Sequence, residues 1–213
     1  MRKHKLILVG GGGHCKACID VVECTDEYEI VGILDRADLL GTSVLDYKII
    51  GTDADFLKFK QEGCQFLITV GQIKSAAIRK KIAQLLEQQE ASLATIISPN
   101  AHVSKYAQIG KGTIVMHGVT VNASAEVGTN CILNTGCDIE HDAIIGHHTH
   151  ISTYAVINGG CIIGDEVFVG SNATVSGSIS LGNKILIGSG AVVFKNINDS
   201  GTYVGNPAKK IKE

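Results

Sequence analysis

The chain contains no stretch of about 18 apolar residues, so no helix is expected to span a membrane. It also lacks a charge excess: 19 Lys and Arg stand against 21 Asp and Glu, for a formal net charge of −2. A protein that binds nucleic acid mainly by neutralising phosphates needs a basic surplus, and none is present. The basic start, Met1 to Lys5, is followed by only Leu6-Ile7-Leu8-Val9 before glycines begin. That run is too short for the core of a secretory leader. The seven cysteines are odd in number and irregularly spaced, which argues against a disulfide framework and for reduced thiols in a cytoplasmic protein. Tryptophan is absent, prolines number 2 and aromatics make up 5%, whereas glycines number 25 and hydrophobic residues reach 45%. This composition excludes a disordered chain and suits a narrow aliphatic core with many tight turns. The 213 residues suffice for one large domain or two small ones, at roughly 100–200 residues each.

What is present in abundance is a repeat. From Ile97, every sixth residue to Val193 is aliphatic: Ile97, Val103, Ile109, Val115, Val121 and so on through 17 positions without a break. Four residues after each lies a second column, from Ala101 to Ile197, composed only of Ala, Thr, Val, Cys and Ile. A period of six fits neither a helix at 3.6 nor a strand at 2; it fits a short strand plus a turn. A period of 18 is superimposed, with Gly110, Gly128, Gly146, Gly164 and Gly182 at corresponding places. Three hexapeptides therefore form one triangular coil, with those glycines stacked along a corner. This is the pattern of a hexapeptide parallel β-helix. Five to six coils at about 4.8 Å each give a prism about 25–30 Å tall. The register points Cys131, Cys137 and Cys161 into the core as small hydrophobes.

The first half reads differently. Residues 4–10 form a buried strand ending in Gly10-Gly11-Gly12-Gly13-His14, 14–24 a helix, 28–34 a strand ending at Asp35, 53–61 a helix, 65–70 a strand and 74–89 a helix. That order implies a small parallel sheet of Rossmann-like type. The division expected is 1–96 for this α/β domain and 97–213 for the β-helix with its tail. A glycine loop opening a helix can cradle phosphate on backbone N–H groups, and a carboxylate at Asp35 can take ribose hydroxyls. Gly10-x-Gly12-x-x-Cys15 departs from the dinucleotide fingerprint, which has a third Gly at the last position, so a mononucleotide or nucleotide-sugar fits better than NAD. A ligand-free strand-turn-helix is the alternative. Cys15-x-x-Cys18 has redox spacing, but its place after a phosphate loop favours buried thiols.

Four of the eight histidines lie between 134 and 150. Taken one coil at a time, the column through His141 reads Ala123, His141, Gly159, Gly177. One imidazole therefore projects beside a strip cleared by glycine, as a groove for a thin ligand requires. An imidazole takes a proton near neutrality, and flanking Glu140 and Asp142 can orient it. His147 and His148 share their columns with Asp165 and Glu166; solvated surface is preferred there to a zinc site. The tail, Gly201 to Lys210, leaves the repeat and places a turn at Pro207 beside Lys209 and Lys210, a combination able to meet anionic phosphates.

The glycine loop with His14 and Lys16, the Ile-Leu-Asp35 element, Asn134-Thr-Gly, Glu140-His141-Asp142 and the Gly-Asn-Pro-Ala-Lys end together resemble the NeuD/PglD-type bacterial sugar acetyltransferases, over essentially the whole chain. The resemblance implies a left-handed coil and a homotrimer with acetyl-CoA as co-substrate in grooves between neighbouring prisms. It implies a nucleotide-sugar or a sialic acid as acceptor. His141 falls on the general base, Asp142 on its acidic partner and Asn134 near the acceptor. His150, Gly159 and the backbone at Ser189 match acetyl-CoA contacts, to which Pro207 and Lys209 of the tail are added. Gly12, Gly13, His14 and Asp35 match the nucleotide side. The activity expected is N-acetylation of a UDP-linked 4-amino-4,6-dideoxy sugar in glycan biosynthesis, with no metal. The alternatives are a sialic acid O-acetyltransferase and, more distantly, a γ-carbonic-anhydrase-like zinc lyase or a non-catalytic binding module.

Overall fold

In the computed structural model of the protein, residues 3–211 are described; Met1 and Arg2 of the basic start lie outside them. Two compact units emerge, one running to Gly71 and resuming over Ala77–Ile96, the other made of Gln72–Ala76 and the chain from Ile97 onward.

In the first unit the apolar run at the start becomes β1 (His4–Val9), buried from Leu6 onward. The glycines then open α1 (Gly13–Thr25), which buries Cys15, Cys18, Ile19, Val21 and Val22 on one stripe. Next come β2 (Tyr28–Leu34), β3 (Ser43–Val44) and β4 (Tyr47–Gly51). They are followed by α2 (Phe56–Gln61), β5 (Gln65–Ile68) and α3 (Ala77–Gln88). The sheet order is β3-β4-β2-β1-β5, parallel apart from the β3–β4 hairpin at its edge. That hairpin is absent from the sequence reading. Its turn contains no glycine and places Leu45 at φ 50, so it carries none of the usual hairpin signals. Phe56 and Phe66 pack edge to face at 5.7 Å amid Ile7, Val9, Leu34 and Leu86. Arg79 is buried on α3 and donates to the carbonyls of Ile68 and Val70, both at 2.7 Å. This satisfies the end of β5, where the chain leaves the sheet. The helix expected from residue 74 starts at Ala77, and Gln72–Ala76 groups with the second unit.

The second unit is the coil that the repeat predicts. Its strands sort into three parallel faces. The first holds Ile96–Ile97, Ile114–Val115, Ile132–Leu133, His150–Ile151, Phe168–Val169 and Ile185–Ile187; the second begins with His102–Val103 and the third with Gln108–Ile109. Register partners are the equivalent positions of successive coils, as in Asp138 with Val156. The coil is left-handed. The glycine corner is a close approach of backbones: a Cβ on Gly146 would lie 2.5 Å from the Gly164 carbonyl carbon, and one on Gly128 would lie 2.9 Å from that of Gly146.

Two regularities are invisible in the residue types. Every sixth residue from Gly112 to Gly190 has positive φ, and nine of these are not glycine, Asp142, His148, Tyr154 and Lys184 among them. In addition, several inward Thr and Cys side chains donate to a carbonyl of the next coil: Thr113 to Gly128 at 2.8 Å, Cys131 to Gly146 at 3.1 Å, Thr149 to Gly164 at 2.9 Å and Cys161 to Ser176 at 3.0 Å. Cys131 and Cys161 are core residues, as the register requires, but they also tie successive coils together. The tail adds to the prism: Gly201–Val204 pairs with Ile185–Ile187 on the first face, and Lys209–Lys210 returns antiparallel to it.

Gly146→Ala is expected to cost about 1–3 kcal/mol, the usual range for overpacking. Gly190→Asn, at φ +69 with open space around the added carbon, is expected to cost less than about 1 kcal/mol. Urea unfolding of both variants checks the contrast; equal losses would contradict the stacked-corner account.

Candidate functional site

His141 stands at the corner joining the second and third faces. Asp142 occupies the positive-φ position of that corner, at φ 61, a conformation that Asp tolerates better than most residues. The turn brings its carboxylate beside the ring, and His141 Nδ1 lies 2.7 Å from Asp142 Oδ2. A carboxylate only accepts, so Nδ1 carries the proton and Nε2 keeps its lone pair. The ring lies against Gly159, where an added Cβ would sit 2.7 Å from both Cε1 and Nε2. The glycine strip read from the sequence thus makes room for the imidazole. Both side chains are open to solvent, 67% for His141 and 65% for Asp142. The hydrogen bond to Asp142 raises the His141 pKa above its ordinary value, helped by the charges of Asp142 and Glu140 and opposed by partial desolvation. Glu140 is engaged elsewhere, accepting from Asn122 Nδ2 at 2.9 Å. Of the two flanking acids, Asp142 holds the ring.

Asn134 and His150 belong to the first face. His150 is buried, and its Nδ1–H donates to the Gln72 carbonyl at 2.6 Å. Its Nε2 then faces Asn134 Nδ2 at 3.3 Å, and its ring meets Phe168 edge-on at 5.1 Å. Asn134 Oδ1 accepts from the Thr135 N–H at 2.8 Å. Gln72 also donates from Nε2 to the His148 carbonyl at 2.8 Å. Sequence reasoning missed Gln72, which lies in an unpatterned stretch between a strand and a helix. Ser189 is exposed at the corner between the first and second faces, with its backbone N 2.5 Å from where a Cβ on Gly170 would be. Pro207 lies in the turn before Lys209, which is exposed and opposite Val204. In a triangular section the first face is opposite the corner of the other two. One chain therefore brings His141, Asp142 and Gly159 together, and Asn134 with His150, but on opposite sides of the prism.

The remaining His cluster has a structural role. Thr129 N–H donates to His147 Nδ1 at 3.0 Å, His147 N–H to Asp165 Oδ1 at 2.7 Å, and Asp165 N–H to Asn183 Oδ1 at 2.8 Å. These side chains, one per coil, cap the glycine corner level by level. Among the described residues no group of three His, Cys, Asp or Glu side chains is placed to share a metal ion.

In the first unit, Gly10 is fixed by sterics: at φ +107 an added Cβ would lie 2.4 Å from Val70. Gly12 is the N-cap of α1, and at Gly12 and Gly13 the Cβ side is open. The first-turn N–H groups of a helix have no intrahelical partners, so this loop presents donors to an anion. His14, half-buried, follows in the first turn. The Asp35 carboxylate accepts from the Gly11 N–H and, at 2.7 Å, from the Arg36 N–H. It shapes the loop, and a carboxylate holding two such bonds has further lone pairs able to accept from a hydroxyl. Cys15, in the place of a third glycine, points into the core beneath the loop, and burial pushes its thiol up to about 11. Cys18 is raised further, again by burial. Neither thiol has the thiolate character that redox chemistry needs. Cys24 alone among the seven cysteines is exposed. A native thiol titration near pH 8 should show one fast-reacting cysteine, and seven after unfolding. Fast reaction at Cys15 or Cys18 would contradict this.

The comparisons agree with this architecture. The PglD N-terminal domain family matches residues 5–86, and the GMPPB C-terminal domain family matches residues 92–197. Nothing among the curated proteins matches the chain. Among solved structures, the acetyltransferase domain of PglB from Neisseria gonorrhoeae FA1090 in complex with acetyl coenzyme A is 30% identical, with TM-score 0.92, over 99% of this chain and 100% of that one. PerB from Caulobacter crescentus, in complex with CoA and GDP-perosamine, is 29% identical with TM-score 0.90, over 98% of this chain and 97% of that one. A histidine-to-asparagine variant of perosamine N-acetyltransferase from the same organism, with the same ligands, is 28% identical with TM-score 0.91, over 98% and 97%. The chain belongs to the PglD-type sugar acetyltransferases of the hexapeptide-repeat superfamily and is an acyltransferase.

Proposed function

We propose that the protein is an acetyl-CoA-dependent N-acetyltransferase acting on the 4-amino group of a UDP-linked 4-amino-4,6-dideoxy sugar, in bacterial glycan biosynthesis in the cytoplasm. The observation that carries this reading is the exposed His141, held by Asp142 at 2.7 Å with its Nε2 over the strip cleared at Gly159. In this reading residues 1–96 hold the nucleotide through Gly12, Gly13, His14 and Asp35. Residues 97–213 hold acetyl-CoA through His150, Gly159, Ser189, Pro207 and Lys209, with Asn134 beside the acceptor. The CoA and GDP-perosamine in the Caulobacter crescentus structures support a thioester donor and a nucleotide-linked amino sugar; uridine as the nucleotide rests on the family resemblance.

The reaction is direct transfer. The amine attacks the thioester carbonyl, His141 Nε2 takes the amine proton, and the thiolate leaves. Asp142 fixes the tautomer and stabilises the imidazolium. Backbone N–H groups of the corner turns stabilise the oxyanion. No acyl-cysteine is required, and Cys131, Cys137 and Cys161 are wholly buried. The opposed placement of His141 and of Asn134 with His150 supports a homotrimer in which one copy's corner faces the next copy's first face.

The test is thiol release from acetyl-CoA with UDP- and GDP-linked 4-amino sugars and with sialic acid. Release with a nucleotide-linked amino sugar is expected, falling about 10²–10⁴-fold in His141→Ala. Release with sialic acid alone would replace the acceptor and make the enzyme an O-acetyltransferase. Activity needs neutral His141, so it falls as pH drops through a pKa raised above the ordinary 6.5. Asp142→Asn removes the cause of that rise, so the acid limb of kcat should move to lower pH as the rate falls. An unmoved limb would exclude the pair as the titrating unit.

A further inference from the structure

Along the corner joining the first and second faces, the positive-φ position of successive coils holds Gly118, Gly136, Tyr154, Asn172 and Gly190. Gly and Asn take this conformation readily; a bulky aromatic at φ 55 is the exception. An outlier of this kind, once observed, asks for a functional reason. The Tyr154 ring is also left in the open, 58% exposed. Among the described residues its side chain has no hydrogen bond, no ring partner and no cation over it. Tyr106, another widely exposed tyrosine, differs: Lys105 Nζ lies 4.9 Å over its ring.

The ring has a defined seat. It lies on Gly136, in the preceding coil, where an added Cβ would be 2.6 Å from Tyr154 Cδ1 and closer still to Cε1. Only a glycine leaves that seat free. The Tyr154 N–H donates to the Thr135 carbonyl at 3.0 Å, and the Thr135 N–H donates to Asn134 Oδ1 at 2.8 Å. The ring therefore lies in the coil that carries Asn134, at the same corner. It points away from Ser189, which stands two coils beyond Thr153 in the opposite direction. A tyrosine ring is a rigid apolar platform with one polar edge. Such a platform suits the C–H face of a sugar ring, and its face offers no partner to a hydroxyl that would have to leave water to meet it.

We infer that Tyr154 is a specificity-determining residue for the acceptor, its ring packing on the apolar edge of the pyranose and on the 6-methyl group, so that a 6-deoxy sugar is selected over its 6-hydroxy counterpart. The inference rests on the acceptor proposed above. Its test uses three variants of the full chain. Tyr154→Gly and Tyr154→Asn install the residue types of Gly136 and Asn172, which suit the positive φ, so both should melt with the parent. Tyr154→Phe keeps the ring. In the first two, KM for the nucleotide-linked amino sugar should rise about tenfold while KM for acetyl-CoA stays within about twofold. The preference for the 6-deoxy over the 6-hydroxy acceptor, as a ratio of kcat/KM, should shrink about threefold or more. Tyr154→Phe should keep both. Calorimetric affinity for the same sugar without acetyl-CoA, which needs no activity, should fall in step with the KM rise. An acceptor KM that stays within about twofold, or a preference that does not shrink, overturns the assignment and leaves the acetyltransferase reading standing. A loss in Tyr154→Phe equal to that in Tyr154→Gly would place the role in the hydroxyl and overturn the packing account. Donor and acceptor KM values that rise together, with a change of oligomer mass by light scattering, would make the ring a contact between copies and overturn it too. Ring-dependent binding of the sugar without acetyl transfer would keep the role of Tyr154 and overturn the N-acetyltransferase reading; absence of both binding and transfer overturns both.

Discussion

Backbone N–H groups in each coil bond to carbonyls of the next, as from Ile132 to Thr149 at 3.0 Å and from Asn134 to Ile151 at 2.8 Å. Because that bonding is parallel and in register on all three faces, every side chain lies directly over its counterpart in the coil before. The stacking is possible only where the backbone can approach closely, which is what the Gly110-to-Gly182 corner provides. Where outward columns meet, chemistry is decided by vertical neighbours. Gly159 accommodates the ring of His141, Asn134 lies within reach of His150, and Thr129, His147, Asp165 and Asn183 form a ladder.

The same geometry explains why one chain separates the residues of the candidate site. A triangular section places a corner opposite a face, so the exposed His141 with Asp142 and the covered His150 with Asn134 lie on opposite sides of the prism. Each group is locally ordered without the other. Asp142 orients His141, and the Gln72 carbonyl fixes the tautomer of His150. In the homotrimer proposed above a second copy would supply the other half, and assembly would then be a condition of catalysis.

The repeat was legible because one position in six must be aliphatic to fill a narrow core, and no gap interrupts Ile97 to Val193. The glycine corner and the cleared strip at Gly159 were legible for the same steric reason. The positive-φ corner positions were not, since Ser124, Tyr154, Glu166 and Lys184 occupy them alongside glycines. The bonds from Thr113 and Cys131 to the next coil were hidden, because Thr and Cys are small enough to pass for apolar filler. The β3–β4 hairpin lacks a glycine turn, and the tail strand Gly201–Val204 joins the first face without keeping the hexapeptide spacing. Gln72 has no pattern of its own; only the folded chain brings it to His150. The resemblance named His141, Asp142, Asn134 and His150 as candidates, but which flanking acid holds His141 required coordinates.

Whether the site is assembled from two copies is settled most directly by subunit mixing. His141→Ala and Asn134→Ala, each of low activity alone, are unfolded together, refolded at equal ratio and assayed for acetyl transfer. If His141 of one copy works with Asn134 of the next, random trimers contain intact sites at about a quarter of their interfaces, and activity returns to about that fraction of the parent's. If both residues act within one chain, no mixture contains an intact site, and activity stays at the level of the separate variants.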